Sequence, residues 1–438
     1  MAVASLGFFL ITLDILIVNL ALADLSRDLG AGPQALQWVI DGYTLPFAAL
    51  LLFAGNLSDR IGAKVAFRWG VALFALASAF CGLAPSIGLL IAARFVQGAA
   101  AAIMLPASMA LIREAFPDSA ERARALGVWA VGGAVAGGVG PLLGGALATV
   151  DWRLVFVINV PVCAVMIMLL RALAPSPARP SSFDWAGQAA AIIALVGLVW
   201  GLIEGGAVGF ATPPVLAALV VSAAALGAFV GTQARGRHPM LPLPLLRPRG
   251  MRIAVGVGLA FMIGWFGTVF LVSLYLQQQL HLSPFFAGLA FLPSAVLSVF
   301  GNVFSGRISN RFGPRVPIAA GLGAMAVGLF ALATATGVGS PVLVAVLVGL
   351  VGTGGSVAMP AATAVVLDNA PPAQAGTASA VFNTFRQIGG AVAIAVFGAL
   401  VATPGGFVRG MQLSLVIAAA IVAGLALTSL GIRTHDAR

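Results

Sequence analysis

Five ionisable residues lie inside long apolar runs of this sequence: Asp14, Asp41, Arg94, Glu204 and Arg386. A charged residue at mid-helix in a bilayer costs roughly 2.5–3.5 kcal/mol on insertion scales, so such residues are usually tied to ions, protons or polar solutes. A carboxyl in a low dielectric can exchange a proton near neutral pH, and a nearby guanidinium competes with that proton. At about 1.5 Å of rise per residue, Asp14 lies ~16 Å into the first run and Arg94 ~10 Å from the opposite edge of the fourth. In a core of about 30 Å these are similar depths. Asp14 is therefore the first candidate proton carrier, coupled to Arg94; the alternative is a fixed pair that only holds helices together. Asp41, ~8 Å inside its run, is either a second carrier or an interfacial anchor. Glu204 ends its run, within reach of water. Arg386, ~14 Å into its run, either meets Asp14 or Asp41 or extends its head toward the cytoplasm.

Neutral residues extend this set. Gln97 and Gly98 follow Arg94 at i+3 and i+4 and share its face, so Gln97 can orient the guanidinium or bind a solute. Asn19 follows Asp14 at i+5 and points partly elsewhere; an interhelical hydrogen bond is its alternative role. Tyr43 and Trp129, with Trp38, Trp265, Phe266 and Tyr275, offer faces for stacking on a flat ligand, although Trp38 and Tyr275 also suit an interfacial belt. The candidate substrate cavity is thus Asn19, Tyr43, Gln97, Gly98, Trp129 and Arg386.

The elements that must position these residues are membrane helices. Apolar residues make up 61% of the 438 and charged residues 8%, against roughly 25% charged in a soluble domain. Mean hydropathy is +1.07. At about 20 apolar residues per span, fourteen spans are predicted: 3–25, 36–57, 67–85, 87–112, 123–147, 154–174, 185–204, 214–234, 252–276, 284–306, 316–337, 341–366, 377–402 and 411–432. Of 23 Lys and Arg residues, 18 fall in loops on one side, three on the other and two within spans. That bias places the basic side and both termini in the cytoplasm. The first run lacks a basic leader and is too long for a cleavable signal.

Several function classes are excluded. The net charge of +10 is spread over short clusters, with no basic, aromatic-interleaved stripe for nucleic acid. Cys81 and Cys163 each sit in apolar runs and read as packing residues. Lys64 is the single lysine and completes no phosphate-binding loop, so no nucleotide drives this chain. His238, His281 and His435 lie in separate loops or tails, so no metal site is expected. No nucleophile elbow or paired zinc motif is present. The reading is a non-enzyme without cofactor or obligate protein partner, whose partners are a small-molecule substrate, protons and lipid.

An internal repeat organises the spans. Gly55-Asn-Leu-Ser-Asp-Arg-Ile-Gly-Ala-Lys64 aligns without gaps to Gly306-Arg-Ile-Ser-Asn-Arg-Phe-Gly-Pro-Arg315, after spans 2 and 10. The chain reads as an all-α polytopic membrane protein: a six-helix bundle (1–174), an inserted pair with its loops (175–250) and a second six-helix bundle (251–438). Parallel six-helix repeats are a transporter architecture.

The sequence resembles the major facilitator superfamily, in particular its fourteen-helix drug:proton antiporters. The resemblance rests on Leu13-Asp14 to Leu22, Gly55 to Lys64, Arg94-Phe-Val-Gln97-Gly98, Gly133 to Gly145, Asp151 to Pro161 and Asn383 to Gly390, in order and in matching helices or loops. It implies alternating access by the two bundles around a midplane cavity. It implies that Gly133, Gly137, Gly140, Pro141, Gly144 and Gly145 form an antiporter motif sealing span 5 against leak, the alternative being ordinary small-residue packing. It also implies a cytoplasmic latch at Gly55, Asp59, Arg60, Gly62 and Lys64. The second copy has Asn310 in place of Asp59, so that latch is charged in one half. The expected function is a proton-coupled exporter of small amphiphilic compounds in the cytoplasmic membrane. A metabolite-specific exporter or uptake symporter, or a non-transporting receptor or scaffold, are the alternatives.

Overall fold

The computed structural model describes residues 1–178, 183–236, 239–371, 374–402 and 406–432. Among these residues all regular structure is helical. A chain in hydrocarbon must satisfy its backbone groups within the segment, and helices do this locally. Fourteen helices are long and apolar enough to cross a membrane. The first six are Ala2–Leu20, Pro33–Ile61, Ala63–Gly82, Ile87–Ala115, Arg124–Val150 and Leu154–Arg171. Spans 7 and 8 are Trp185–Val208 and Pro213–Arg235. The last six are Arg249–Gln279, Pro284–Phe312, Arg315–Ala335, Pro341–Asp368, Ala375–Val401 and Phe407–Ser429. His238 and His435 lie outside the described residues.

The predicted edges hold to within a few residues except at the end of span 1 and at the ends of spans 2 and 10, which run on to Ile61 and Phe312 and take in most of the repeated segment. The expected helix 3–25 ends in a 3-10 turn at Val18–Leu20, and a short helix Leu22–Leu29 follows. Asn19 is the local cause. Its side-chain amide donates to Ile15 O at 2.9 Å, so it competes for the helix's own carbonyls, as a mid-helix Asn does. Beyond it, Asp24, Arg27 and Asp28 make the continuation too polar to remain in hydrocarbon.

Contacts divide the chain into two units: residues 1–196 with 221–240 and 283–288, and residues 197–220 with 241–282 and 289–438. Spans 7 and 8 therefore contribute to both. Within the first unit, span 1 packs on spans 4, 5 and 6, span 4 on spans 2 and 3, and span 3 on span 6. Within the second, span 9 packs on spans 12, 13 and 14, span 12 on spans 10 and 11, and span 11 on span 14. The pairings are the same in each bundle. The repeated segments, helical up to Ile61 and Phe312, also share a backbone: Gly62 ends span 2 at φ +87° and Gly313 ends span 10 at φ +79°. Both conformations favour glycine, which explains why this position is identical in the two copies.

Candidate functional site

Five spans of the N-terminal bundle converge on one buried polar cluster. Arg94 and Asp14 form an ion pair with both side chains fully buried. Arg94 Nη1 also donates to Gln97 Oε1 at 2.8 Å, and its Nε donates to Val39 O at 3.0 Å. Gln97 Nε2 donates to Asp14 Oδ1 at 2.9 Å and to Ser78 Oγ at 2.7 Å. Asn159 Nδ2 adds a third donor to Asp14, at 2.8 Å. The guanidinium lies 4.5 Å from the centroid of the Tyr43 ring, a favourable cation–π placement, and Tyr43 Oη donates to Ile11 O at 3.3 Å. A buried ion pair is favoured when its remaining donors and acceptors are occupied; spans 1, 2, 3, 4 and 6 supply partners for all of them except Arg94 Nη2 and Asn159 Oδ1, which are buried without a hydrogen bond.

Asp41 is held differently. It is fully buried, and its Oδ1 accepts from Thr44 Oγ1 at 2.9 Å. Its Oδ2 is buried with no hydrogen-bond partner. The two carboxyls therefore contrast: Asp14 accepts from three side chains, one of them a cation, while Asp41 keeps a free oxygen.

The structure disperses the predicted substrate residues. Tyr43, Gln97 and Gly98 are buried in helix packing. A Cβ on Gly98 would stand 2.2 Å from Tyr43 O, so this glycine lets spans 2 and 4 cross closely. Asn19 is spent on its own helix. Trp129 stacks on Phe8 with centroids 4.0 Å apart and donates to Ser108 Oγ at 3.0 Å. None of these five presents an open surface. Arg386 differs: it is only half-buried, its Nη1 donates to Asn383 Oδ1 at 3.0 Å, and its Nε has no partner.

The span 5 glycines fall into distinct groups. A Cβ on Gly133 would meet the Phe8 ring at 2.1 Å, one on Gly140 Leu16 Cβ at 3.1 Å, and one on Gly144 Ile17 O at 2.6 Å. These residues press span 5 onto span 1. A Cβ on Gly145 would lie 2.3 Å from Pro284 O, and one on Gly288 would lie 2.6 Å from Pro141 O, so residues 284–288 seat backbone to backbone on the Pro141 to Gly145 ledge. Gly137 meets nothing within 4 Å, which removes it from the packed stripe the spacing predicts.

At the other rim, Lys64 N donates to Ser176 Oγ at 3.0 Å, and its ammonium reaches Leu173 O. Ser176 in turn donates to Glu114. These bonds tie the ends of spans 3, 4 and 6 together within one bundle. Asp59 and Arg60 are exposed, and Arg60 lies 5.1 Å from the centroid of the Phe183 ring. A Cβ on Gly55 would lie 4.0 Å from Pro106 Cβ.

Asn159 and Ser78 were missed by sequence reasoning. Asn159 lies within the Asp151 to Pro161 run that carried part of the resemblance, and a lone Asn at mid-span is the signal that could have found it. Among the described residues no group of three His, Cys, Asp or Glu side chains could hold a metal ion.

Two six-helix bundles with matching internal packing, one of them enclosing a buried ion pair, are the build of a membrane solute carrier. The chain belongs to the Major Facilitator Superfamily, whose family model matches residues 4–394. It is 36% identical to the methylenomycin A resistance protein of Streptomyces coelicolor, covering 93% of this chain and 86% of that one. It is 35% identical to the multidrug resistance protein Stp of Mycobacterium tuberculosis, covering 91% and 74%, and 34% identical to the tetracenomycin C resistance and export protein of Streptomyces glaucescens, covering 91% and 75%. A solved peptide-transporter-type (POT family) structure in complex with 5-aminolevulinic acid shares the fold at a TM-score of 0.71 and 12% identity, covering 97% of this chain and 94% of that one. The inward-open xylose transporter XylE of E. coli does so at 0.65 and 18%, covering 98% and 94%. The protein is thus an integral membrane transporter of small molecules, and family membership makes it a carrier rather than an enzyme.

Proposed function

We propose that this carrier is a proton-coupled exporter of small amphiphilic compounds, working by alternating access in the cytoplasmic membrane with both termini inside. The names of its relatives, which are resistance and export proteins, support export. The division of basic residues supports the orientation. The close seating of residues 284–288 on the span 5 ledge supports a seal there, and exposed Asp59 and Arg60 are free to act as the latch in another access state.

The observation that carries the coupling is the contrast between the two carboxyls. A proton on Asp41 Oδ2 disturbs no existing hydrogen bond, whereas a proton on Asp14 removes the charge that pairs with Arg94 and weakens the bonds from Gln97 and Asn159. In this reading Asp41 carries the proton, and the Asp14–Arg94 pair holds spans 1 and 4 together. Dye efflux from loaded cells tests this. An uncoupler and Asp41→Asn should each slow efflux about tenfold or more. Efflux unchanged by the uncoupler, or by Asp14→Asn together with Asp41→Asn, removes the coupled mechanism. Everted vesicles with an acid interior should accumulate dye; accumulation driven in the opposite sense would make the chain an uptake symporter.

A further inference from the structure

Arg386 sits 11 residues into span 13, Ala375–Val401, and so ~16 Å along it. Its own unit offers it no carboxylate at its depth. That unit takes in residues 197–220, and its acidic residues are Glu204, Asp368 and Asp436; Glu204 stands two residues from Gly206, which meets span 13 at Ala399, 13 residues beyond Arg386. Asp368 ends span 12 at the rim, far above or below mid-span, and Asp436 follows the last helix. Arg386 takes part in none of the ion pairs among the described residues, which involve Arg27, Arg94 and Arg153. Arg94 has its counter-ion within its bundle; Arg386 does not.

The surroundings nevertheless hold Arg386 in place. Its stem crosses span 9 at Gly258, where a Cβ would lie 2.9 Å from Arg386 Cγ and 2.5 Å from the Phe382 ring. Asn383 accepts from Nη1 and is itself fixed by donating to Ser379 O at 3.0 Å. Within one turn, Thr384 Oγ1 and Gln387 Oε1 are buried without partners, in side chains more than nine-tenths buried. Phe382 lies 5.8 Å from the guanidinium carbon and supplies an apolar wall. A half-buried arginine whose Nε lacks a partner, beside an aromatic wall, matches an amphiphile that carries an acid group. Planar guanidinium recognises carboxylate through paired, charge-assisted hydrogen bonds.

We propose that Arg386 is a substrate-binding residue that receives the carboxylate of a transported amphiphilic organic acid or zwitterion, the cargo supplying the counter-ion that the bundle lacks. This rests on the reading of the chain as a substrate exporter. Purified full-length protein should be titrated with radiolabelled 1-naphthaleneacetate and with its neutral amide, 1-naphthaleneacetamide. The acid should bind about tenfold or more tighter than the amide. Arg386→Gln should bring that ratio close to one, and Arg386→Lys should retain part of it. Equal affinities in the unaltered protein, failure of the acid to bind, or equal weakening of acid and amide by Arg386→Gln overturns the proposal. If Arg386→Gln does not fold, the ratio in the unaltered protein and in Arg386→Lys decides. Proton-driven movement of both probes is followed in proteoliposomes in parallel. Acid-selective binding without proton-driven movement removes the exporter reading and leaves the site. Unselective binding with proton-driven movement removes the site and leaves the exporter.

Discussion

In the N-terminal bundle, the contacts of span 1 with spans 4 and 6 close over Asp14, Arg94, Gln97 and Asn159. In the C-terminal bundle, the corresponding contacts of span 9 with spans 12 and 14 close over apolar groups: Phe261 on Gly355, Trp265 on Gly352 and Val422 beside Gly264. The helix pairings are the same, and the loop glycines share a backbone conformation. What the repeat duplicates is therefore the path of the backbone, and an apolar core sustains that path as well as an ionic one. The buried pair in the first bundle is not required by the architecture.

The sharpest way to break this comparison is to remove one ion. Arg94→Leu leaves Asp14 buried without its cation, and thermal unfolding in detergent should register a loss of about 3–5 kcal/mol. Replacing both ions, as Asp14→Leu with Arg94→Leu, should recover much of that loss, because well-packed apolar side chains often match a buried pair. A double variant as unstable as the single one would show that the first bundle depends on its charges in a way the second does not.

A smaller effect separates two side-chain amides. Asn159 donates to an ionised acceptor, while Gln412 Nε2 donates to the hydroxyl of Thr336 at 2.9 Å. Asn159→Ala should cost about 1.5–3 kcal/mol and Gln412→Ala about 0.5–1.5 kcal/mol. Equal shifts in unfolding temperature would mean that Asp14 is satisfied without Asn159.

The fourteen spans were legible because hydropathy and length alone decide them in a bilayer, and the repeat was legible because its glycines are required by a turn. The depths of Asp14 and Arg94 were also readable, since helical rise is constant. The partners were not. Asn159 and Ser78 look in sequence like Ser414 or Thr268, which donate to carbonyls four residues earlier on their own helices. Whether a polar side chain bonds its own backbone or crosses to a neighbour is set by rotation and packing, and neither is written in spacing. The break after span 1 was missed for the same reason: Asn19 was given a place in the cavity or an interhelical hydrogen bond, whereas its amide turns back on its own helix. Gly137 shows the limit of small-xxx-small spacing, which gave the same reading for a packed glycine and an open one.

Span 5 turns that last point into a test. Gly144→Ala drives a methyl against Ile17 O and should destabilise by about 1–3 kcal/mol. Gly137→Ala meets nothing and should stabilise by up to about 1 kcal/mol through helix propensity. A matched pair of unfolding curves reads both, and identical curves would mean that spans 1 and 5 are not pressed together there.

The smallest expected effect lies at the rim assigned to the outside, where the bundles are fastened by different chemistry. In the first, Trp152 Nε1 donates to Asp28 Oδ2 at 2.8 Å and Arg153 Nη1 donates to it at 2.9 Å. In the second, Tyr275 Oη donates to Thr336 O at 2.6 Å and Gln412 holds the same threonine. The hydrogen bond from Trp152, then that from Arg153, holds the Asp28 carboxyl below its ordinary value of 3.8. The sign follows from linkage: a depressed carboxyl stabilises the fold fully above its unfolded pKa, and the contribution is lost as pH falls through the folded one. The first rim should therefore loosen only below about pH 4, and Asp28→Asn should flatten that acid slope in unfolding temperature. Gln412→Ala should lower the whole curve without changing its slope, because no group in that fastening titrates in acid. An acid slope that survives Asp28→Asn would place the titrating group elsewhere and leave the two rims electrostatically alike.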